Sequence, residues 1–214
     1  MEGKAVTQYK TQNGTLGDFV KRAFDVVMSL LGLILLSPFF LIISLLIKID
    51  SPGPVLFKQV RVGRFEKNFK ILKFRTMVTD AEKRGAQITV GRDSRITRVG
   101  HLLRKSKLDE LPQLINVFIG DMSLVGPRPE VPKYTQYYNK VQKRIFEIRP
   151  GITDYASIKY RDENEILALS SEPEKTYIEE IMVDKLNLNL EYLEKKSLLT
   201  DIKIIFSTIY KIIK

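Results

Sequence analysis

The stretch Ser106-Lys107-Leu108-Asp109-Glu110-Leu111-Pro112-Gln113 sets two carboxylates side by side, just ahead of apolar residues at helical spacing, Leu114, Ile115 and Phe118. Pro112 suits a first helical position, Leu111 before it is pushed toward extended geometry, and Gly120 is a stop signal. Asp109 and Glu110 therefore fall just upstream of a helix N-terminus. Three chemistries are open to such a pair. Together the carboxylates can hold a divalent cation by oxygen ligation. One of them can be a nucleophile toward phosphorus, as in aspartyl-phosphate chemistry. Or one merely caps the helix and answers its dipole, which spacing alone favours.

Cations surround this pair in the sequence. Arg128 lies between Pro127 and Pro129, so its backbone is restricted and its guanidinium is presented in a pre-set direction suited to phosphate. Lys70, Lys73 and Arg75 follow one another on a strand-like run, Arg92, Arg95 and Arg98 on a basic loop. Arg149-Pro150-Gly151-Ile152-Thr153 is a further rigid turn with a basic residue and free amides. Each of these has an ordinary alternative, an ion pair at the surface or a contact with anionic lipid headgroups. No P-loop or dinucleotide fingerprint is present. With no cysteine and a single histidine, His101, thiolate metal sites are excluded.

The elements that must position these groups can be read from periodicity. Val55 to Gly63 and Phe69 to Phe74 are short, β-prone and partly alternating, with a polar turn around Arg64 to Asn68, and predict a hairpin. Thr79 to Gly85 predicts a short polar helix or turn, Ile88 to Gly100 a basic loop, and Val125 to Pro132 a rigid loop. Tyr134 to Phe146 predicts an amphipathic helix ended by Arg149-Pro150-Gly151. From Ser197 onward Leu198, Leu199, Ile202, Phe206, Ile209 and Ile213 share a face, with Asp201, Lys203, Lys211 and Lys214 as the polar residues. That pattern fits a helix lying in a membrane interface and equally one packed on a core.

Val26 to Ile47 carries no charge and covers about 33 Å as a straight helix, enough to enter or cross a bilayer. Its flanks are basic on both sides, Lys21 and Arg22 before it, Lys48, Lys58 and Arg61 after it. A simple span cannot keep both flanks on the cytoplasmic side. Ser37-Pro38 in its middle predicts a kink, with the serine hydroxyl bonding a carbonyl one turn back. A kinked single pass and a re-entrant helix–break–helix both remain open, and the two-sided charge favours the second. The expected organisation is a flexible tail over 1–18, the membrane helix over 19–50 and a catalytic domain over 51–214, in a mostly helical α+β fold with a small β-hairpin.

The 214 residues carry a formal net charge of +10, which favours anionic partners. A membrane-tethered binder of nucleic acid or anionic lipid is the competing reading, motivated by the basic run from Arg92 to Lys107. That run is nearly free of aromatic residues, which removes the stacking partners of single-strand binders, so no nucleic-acid partner is expected.

The ordered blocks Lys21 to Asp25, Ser37-Pro38, Ser51 to Val55, Lys73 to Met77, Leu103 to Gln113, Asn116-Val117, Gly120 to Glu130 and Arg149 to Thr153 resemble the bacterial sugar transferase family of monotopic phosphoglycosyl transferases. The resemblance implies that Asp109 attacks the β-phosphate of a UDP-sugar, releasing UMP, and that a polyprenyl phosphate then collects the sugar-phosphate. It implies Glu110 as the partner carboxylate and Asp109 with Glu110 as ligands of Mg²⁺. Lys73, Arg75, Arg128, Arg149 and Thr153 would face phosphate or substrate, and Ser37-Pro38 would mark the break of a re-entrant helix. The catalytic domain would lie on the cytoplasmic face of the bacterial inner membrane, among membrane lipids. A homo-oligomer is compatible with the sequence. Where many relatives continue with a Gly-Trp-Ala-Gln-Val type segment, this chain reads Asp154-Tyr155-Ala156-Ser157-Ile158, then Tyr160-Arg161-Asp162-Glu163-Asn164, a departure that bears on the donor rather than on the chemistry.

Overall fold

The computed structural model describes residues 15–81, 91 and 93–213. Helix α1 (Thr15–Asp50) comes first, followed by strands β1 (Leu56–Val62) and β2 (Asn68–Phe74). Helix α2 (Arg98–Lys105), a 3₁₀ turn (Leu108–Glu110), helix α3 (Gln113–Ile119) and strand β3 (Ser123–Val125) come next. A short α4 (Pro132–Thr135) and a 3₁₀ segment (Gln142–Glu147) lead to strand β4 (Gly151–Thr153). The remainder is helical: α5 (Tyr155–Lys159), α6 (Glu163–Ala168), α7 (Pro173–Thr176), α8 (Met182–Lys195) and α9 (Leu198–Ile213). The mostly helical α+β expectation holds.

β1 and β2 pair antiparallel in one register, Leu56 opposite Phe74 through Val62 opposite Asn68, so the predicted hairpin is present. A second, two-stranded ladder was not foreseen: β3 and β4 pair in parallel, Ser123 with Gly151 and Val125 with Thr153. Three-residue strands flanked by proline carry too little alternation to register as strands. The main core gathers Val62, Tyr134, Tyr138, Phe146, Leu167 and Leu186, joining the hairpin to α4 and α8.

Helix α1 departs from expectation at its start. It begins at Thr15, so the last residues assigned to the tail are helical, while residues 1–14 lie outside the described chain. It runs through Pro38 as one 36-residue helix, with Ser37-Pro38 inside it. The Ser37 hydroxyl donates to the Ile34 carbonyl at 2.8 Å, supplying a local bond beside the missing proline donor. One face, Asp25, Ser29, Phe40, Ile43 and Ile47, lies against the rest of the protein at intervals of a helical turn or multiples of it. The other face stays apolar and open. This is the one helix among the described residues long and apolar enough to cross a membrane, and only 11% of its apolar window is buried.

Both ends of α1 are fastened to the same body. Near its start Arg22 donates to the carbonyls of Val117 and Phe118 in the last turn of α3. Asp25 accepts from the Leu124 amide. At its end Asp50 accepts from the Val99 amide in the first turn of α2.

Other expectations are corrected by local hydrogen bonding. Tyr134 to Phe146 is not one helix: the Asn139 side chain accepts from the amides of Val141 and Gln142, making a turn that competes with helix. The basic loop read up to Gly100 already becomes α2 at Arg98, capped by the Thr97 hydroxyl. Gly100 is required there, since a Cβ would stand 2.1 Å from the Thr76 carbonyl oxygen. Leu111 is helical rather than extended, because the 3₁₀ turn runs straight on toward α3. Of the segment Thr79 to Gly85, residues 82–85 lie outside the described chain, as does Arg92.

On α9 the packed face carries Asp201 and Ile204, while Leu199, Phe206, Ile209 and Tyr210 are exposed. Asp201, read as an outward polar residue, is buried, accepts from the Tyr192 hydroxyl and pairs with Lys21 at 2.5 Å.

Candidate active site

The position of the acidic pair is fixed by a side chain one element away. Asn116 of α3 imitates a neighbouring strand: its Oδ1 accepts from the Leu72 amide and its Nδ2 donates to the Lys70 carbonyl, both at 2.9 Å. That clamps α3 to β2 and brings Lys73 to the turn that holds Asp109 and Glu110. A close backbone approach does the same for Arg128. The Gly151 amide donates to the Pro127 carbonyl, Arg61 Nη1 donates to the Pro129 carbonyl, and the Arg128 amide donates to Asp154 Oδ2. Asp154 Oδ1 also accepts from the Ser157 amide and caps α5.

These placements converge on Glu110. Arg128 Nη1 donates to Glu110 Oε2 at 3.0 Å, Arg128 Nη2 to Oε1, and Lys73 Nζ to Oε1 at 2.9 Å. The bidentate pairing is the carboxylate contact that was the ordinary alternative for Arg128, and neither carboxylate caps α3. Asp109 is 7% exposed, and its carboxylate forms no hydrogen bond or ion pair with the described residues.

The neighbouring carboxylates titrate in opposite directions. Burial pushes Asp109 above the ordinary carboxylate range; Lys73 opposes that shift and Glu110 adds to it. Burial also pushes on Glu110, but Arg128 and Lys73 outweigh it and hold the group well below its usual value. Glu110 in turn raises Arg128. Burial lowers Lys73 and Arg104, with Glu110 opposing the shift of the lysine and Asp109 that of the arginine.

All of these groups line one cleft of about 1250 Å³. Its walls are of two kinds. Lys73, Arg104, Lys107 and Arg128 give it positive charge around the acidic pair, while Met28 and Leu36 of α1 and Ile205 and Ile209 of α9 give it an apolar side.

Of the residues singled out in the sequence, Lys73, Asp109, Glu110 and Arg128 come together. Arg75 lines the cleft, but its guanidinium is committed to the carbonyls of Pro52, Ser51 and Ile47, where it fastens the end of α1. Thr153 also lines it, with its hydroxyl 2.6 Å from that of Thr208 on α9. Arg149 is not brought in: its Nε donates to the Gly120 carbonyl at 2.9 Å, behind α3. Arg104 was missed as a site residue. The available signal was its place five residues before Asp109, inside the same block Leu103 to Gln113.

No group of three or more potential metal ligands occurs among the described residues. Asp109 offers an open carboxylate, Glu110 one whose oxygens also accept from Arg128 and Lys73, and there is no third acidic ligand among the described residues. That set fits an ion such as Mg²⁺, which keeps several waters and takes further oxygens from substrate phosphates, better than one needing a closed protein cage.

Comparison with known proteins gives the family. The sequence model of the bacterial sugar transferase family matches residues 16–214. The chain is 37% identical over 200 residues to a UDP-N-acetylgalactosamine-undecaprenyl-phosphate N-acetylgalactosaminephosphotransferase of Aeromonas hydrophila, covering 91% of this chain and 44% of that protein. It is 39% identical over 211 residues to a UDP-glucose:undecaprenyl-phosphate glucose-1-phosphate transferase of Escherichia coli strain K12, covering 96% and 43%. An exopolysaccharide production protein of Rhizobium leguminosarum bv. phaseoli is 40% identical over 205 residues, covering 89% and 93%. The chain thus spans less than half the length of the first two relatives and nearly all of the third.

Proposed function

Because the chain belongs to the bacterial sugar transferase family, we propose that it moves a sugar-1-phosphate from a UDP-sugar to undecaprenyl phosphate, the first membrane step of surface glycan assembly. The observation that carries this reading is the unengaged carboxylate of Asp109, buried beside a Glu110 whose charge is already matched by Arg128 and Lys73.

An Asp109 oxygen attacks the β-phosphorus of the donor. The bond from that phosphorus to the bridging oxygen breaks, UMP leaves, and a phosphosugar remains on the carboxylate. A phosphate oxygen of the polyprenyl phosphate then attacks the same phosphorus, releasing the carboxylate and giving the lipid diphosphosugar. Arg128 and Lys73 orient phosphate oxygens from the wall of the cleft. Their attachment to Glu110 means they need no rearrangement to do so. Asp109 and Glu110 would hold Mg²⁺, which supplies Lewis-acid compensation of phosphate charge.

The fastening of α1 supports a re-entrant, monotopic arrangement. A helix that crosses the bilayer separates its ends by the membrane thickness, whereas here Arg22 and Asp50 both bond to one body. The basic flanks support a body on the cytoplasmic face of the inner membrane. The exposed Leu199, Phe206 and Ile209 of α9 suit the lipid interface.

The test is UMP release by the detergent-solubilised chain with Mg²⁺, undecaprenyl phosphate and a panel of UDP-sugars. Release with a cognate donor, lost in Asp109→Asn and in metal-free samples, is expected; release that survives Asp109→Asn refutes the covalent route. Single cysteines at Lys4→Cys and Lys67→Cys should both resist a membrane-impermeant reagent applied from the periplasm. A reactive site at position 4 refutes the re-entrant topology.

A further inference from the structure

Five buried side-chain polar atoms lack a hydrogen-bond partner among the described residues: Arg61 Nε, Arg75 Nε, Gln113 Nε2, Ser157 Oγ and Asn189 Oδ1. All but the glutamine belong to residues that line the cleft. The two arginines satisfy their other nitrogens on protein oxygens. Ser157 and Asn189 differ, because neither side chain makes any hydrogen bond with the described residues.

Asn189 is 4% exposed and sits on α8 between the buried Leu186 and Tyr192. A carboxamide kept this dry ordinarily finds partners for both its oxygen and its nitrogen. Ser157 lies in the first turn of α5, and α5 packs against α8. That wall is tied to the reaction centre, since Asp154 both caps α5 and accepts from the Arg128 amide at 3.2 Å. A donor whose phosphates face Arg128 thus has α5 and α8 within the same cleft, at a place where hydrogen-bonding groups are left over.

We propose that Asn189, together with Ser157, is a recognition subsite for a polar edge of the nucleotide-sugar, one carrying both a hydrogen-bond donor and an acceptor. The hydroxyl or acetamido groups of the sugar have this chemistry, and so does the edge of uracil. The inference rests on the transferase reading and adds to it the residues that discriminate donors. It also gives a role to part of the departure at residues 154–164, with Ser157 facing substrate and Asp154 holding the wall in place.

The experiment uses the full chain carrying Asn189→Leu or Ser157→Ala, with the acidic pair and its cations intact. Calorimetric binding of UMP and of each UDP-sugar is measured beside ligand-free melting temperature and relative kcat/KM across donors. Asn189→Leu should melt no lower than wild type without ligand, because it removes an unpartnered amide. It should bind the preferred UDP-sugar about tenfold or more weakly, with donor preference flattened. Ser157→Ala should shift preference in the same direction and supplies the result if the first variant does not fold. Unchanged UMP affinity assigns the subsite to the sugar, and equal losses for UMP and UDP-sugar assign it to uracil; either supports the subsite. Wild-type binding and preference in both variants overturns it. A wild-type chain that binds neither UMP nor any UDP-sugar instead overturns the transferase reading beneath it.

Discussion

On one side of the short turn at Leu108–Glu110, Glu110 receives both terminal nitrogens of Arg128 and the ammonium of Lys73. On the other side Asp109 receives no bond from any described residue, although it is the more buried of the two. The same chemical group, one residue apart, is thus stabilised as an anion in one position and penalised as an anion in the other. Glu110 organises the cations, and Asp109 keeps its lone pairs and its reactivity. The difference shows that a nucleophile and its support need not be different residue types, only different surroundings.

Exchanging each carboxylate for its amide should break this contrast in opposite senses. The largest effect is on rate: Asp109→Asn should lower turnover by at least ~10³-fold, because no other group replaces the attacking oxygen. Its UMP release in a single-turnover assay should vanish as well. Next in size is the stability of Glu110→Gln, which leaves Lys73 and Arg128 without their shared counter-charge. A loss of roughly 2–3 kcal/mol is expected in denaturant titration, below the figure for fully buried pairs because the arginine is about one-third exposed. Asp109→Asn should instead hold or raise the unfolding midpoint at neutral pH.

The pH dependence sharpens the comparison further. For Asp109 the folded pKa lies above the unfolded one, so its contribution is most favourable below pH ~3.8 and is lost as pH rises through the folded value. The advantage of Asp109→Asn should therefore grow upward from about pH 3.8 and then level off. For Glu110 the folded pKa is depressed, so its contribution is complete above pH ~4.5 and fades only as pH falls toward the folded value. Parallel melts of the two variants from pH 3 to 8 should diverge in these two directions; curves that move together would remove the contrast. The smallest effect belongs to Arg149→Lys, which keeps a charge and a donor near the Gly120 carbonyl. It should leave the apparent affinity for UDP-sugar within about twofold, and a larger loss would return Arg149 to the site.

Much of this was legible from residue types. The hairpin announced itself by alternation, the membrane helix by its uncharged length, and the acidic pair by its place before Pro112. What escaped was settled by single side chains acting at a distance in sequence. Nothing local says that Asn116 will imitate a strand beside β2, or that Asn139 will stop a helix its neighbours favour. Arg75 and Arg128 look alike as basic residues near rigid turns. Yet one fastens the end of α1 and the other faces the acidic pair, because the carbonyls left over at a helix end claimed the first. The roles of cations near a phosphate site depend on which local acceptors are already spoken for.

The fastening at the start of α1 has a consequence for how the chain matures. Asp18 pairs with Lys196 and Lys21 with Asp201, contacts separated by 178 and 180 residues. During synthesis the greasy helix emerges well before its anchors, and at ~5–20 residues per second the residues that secure its leading end follow on the order of ten seconds or more later. Through that interval its polar anchors have no counterparts, and only the bilayer or a holding chaperone can keep the exposed apolar face from self-association. Loss of Asp201 should accordingly be felt more in the yield of correctly inserted protein than in the activity of molecules that have already closed.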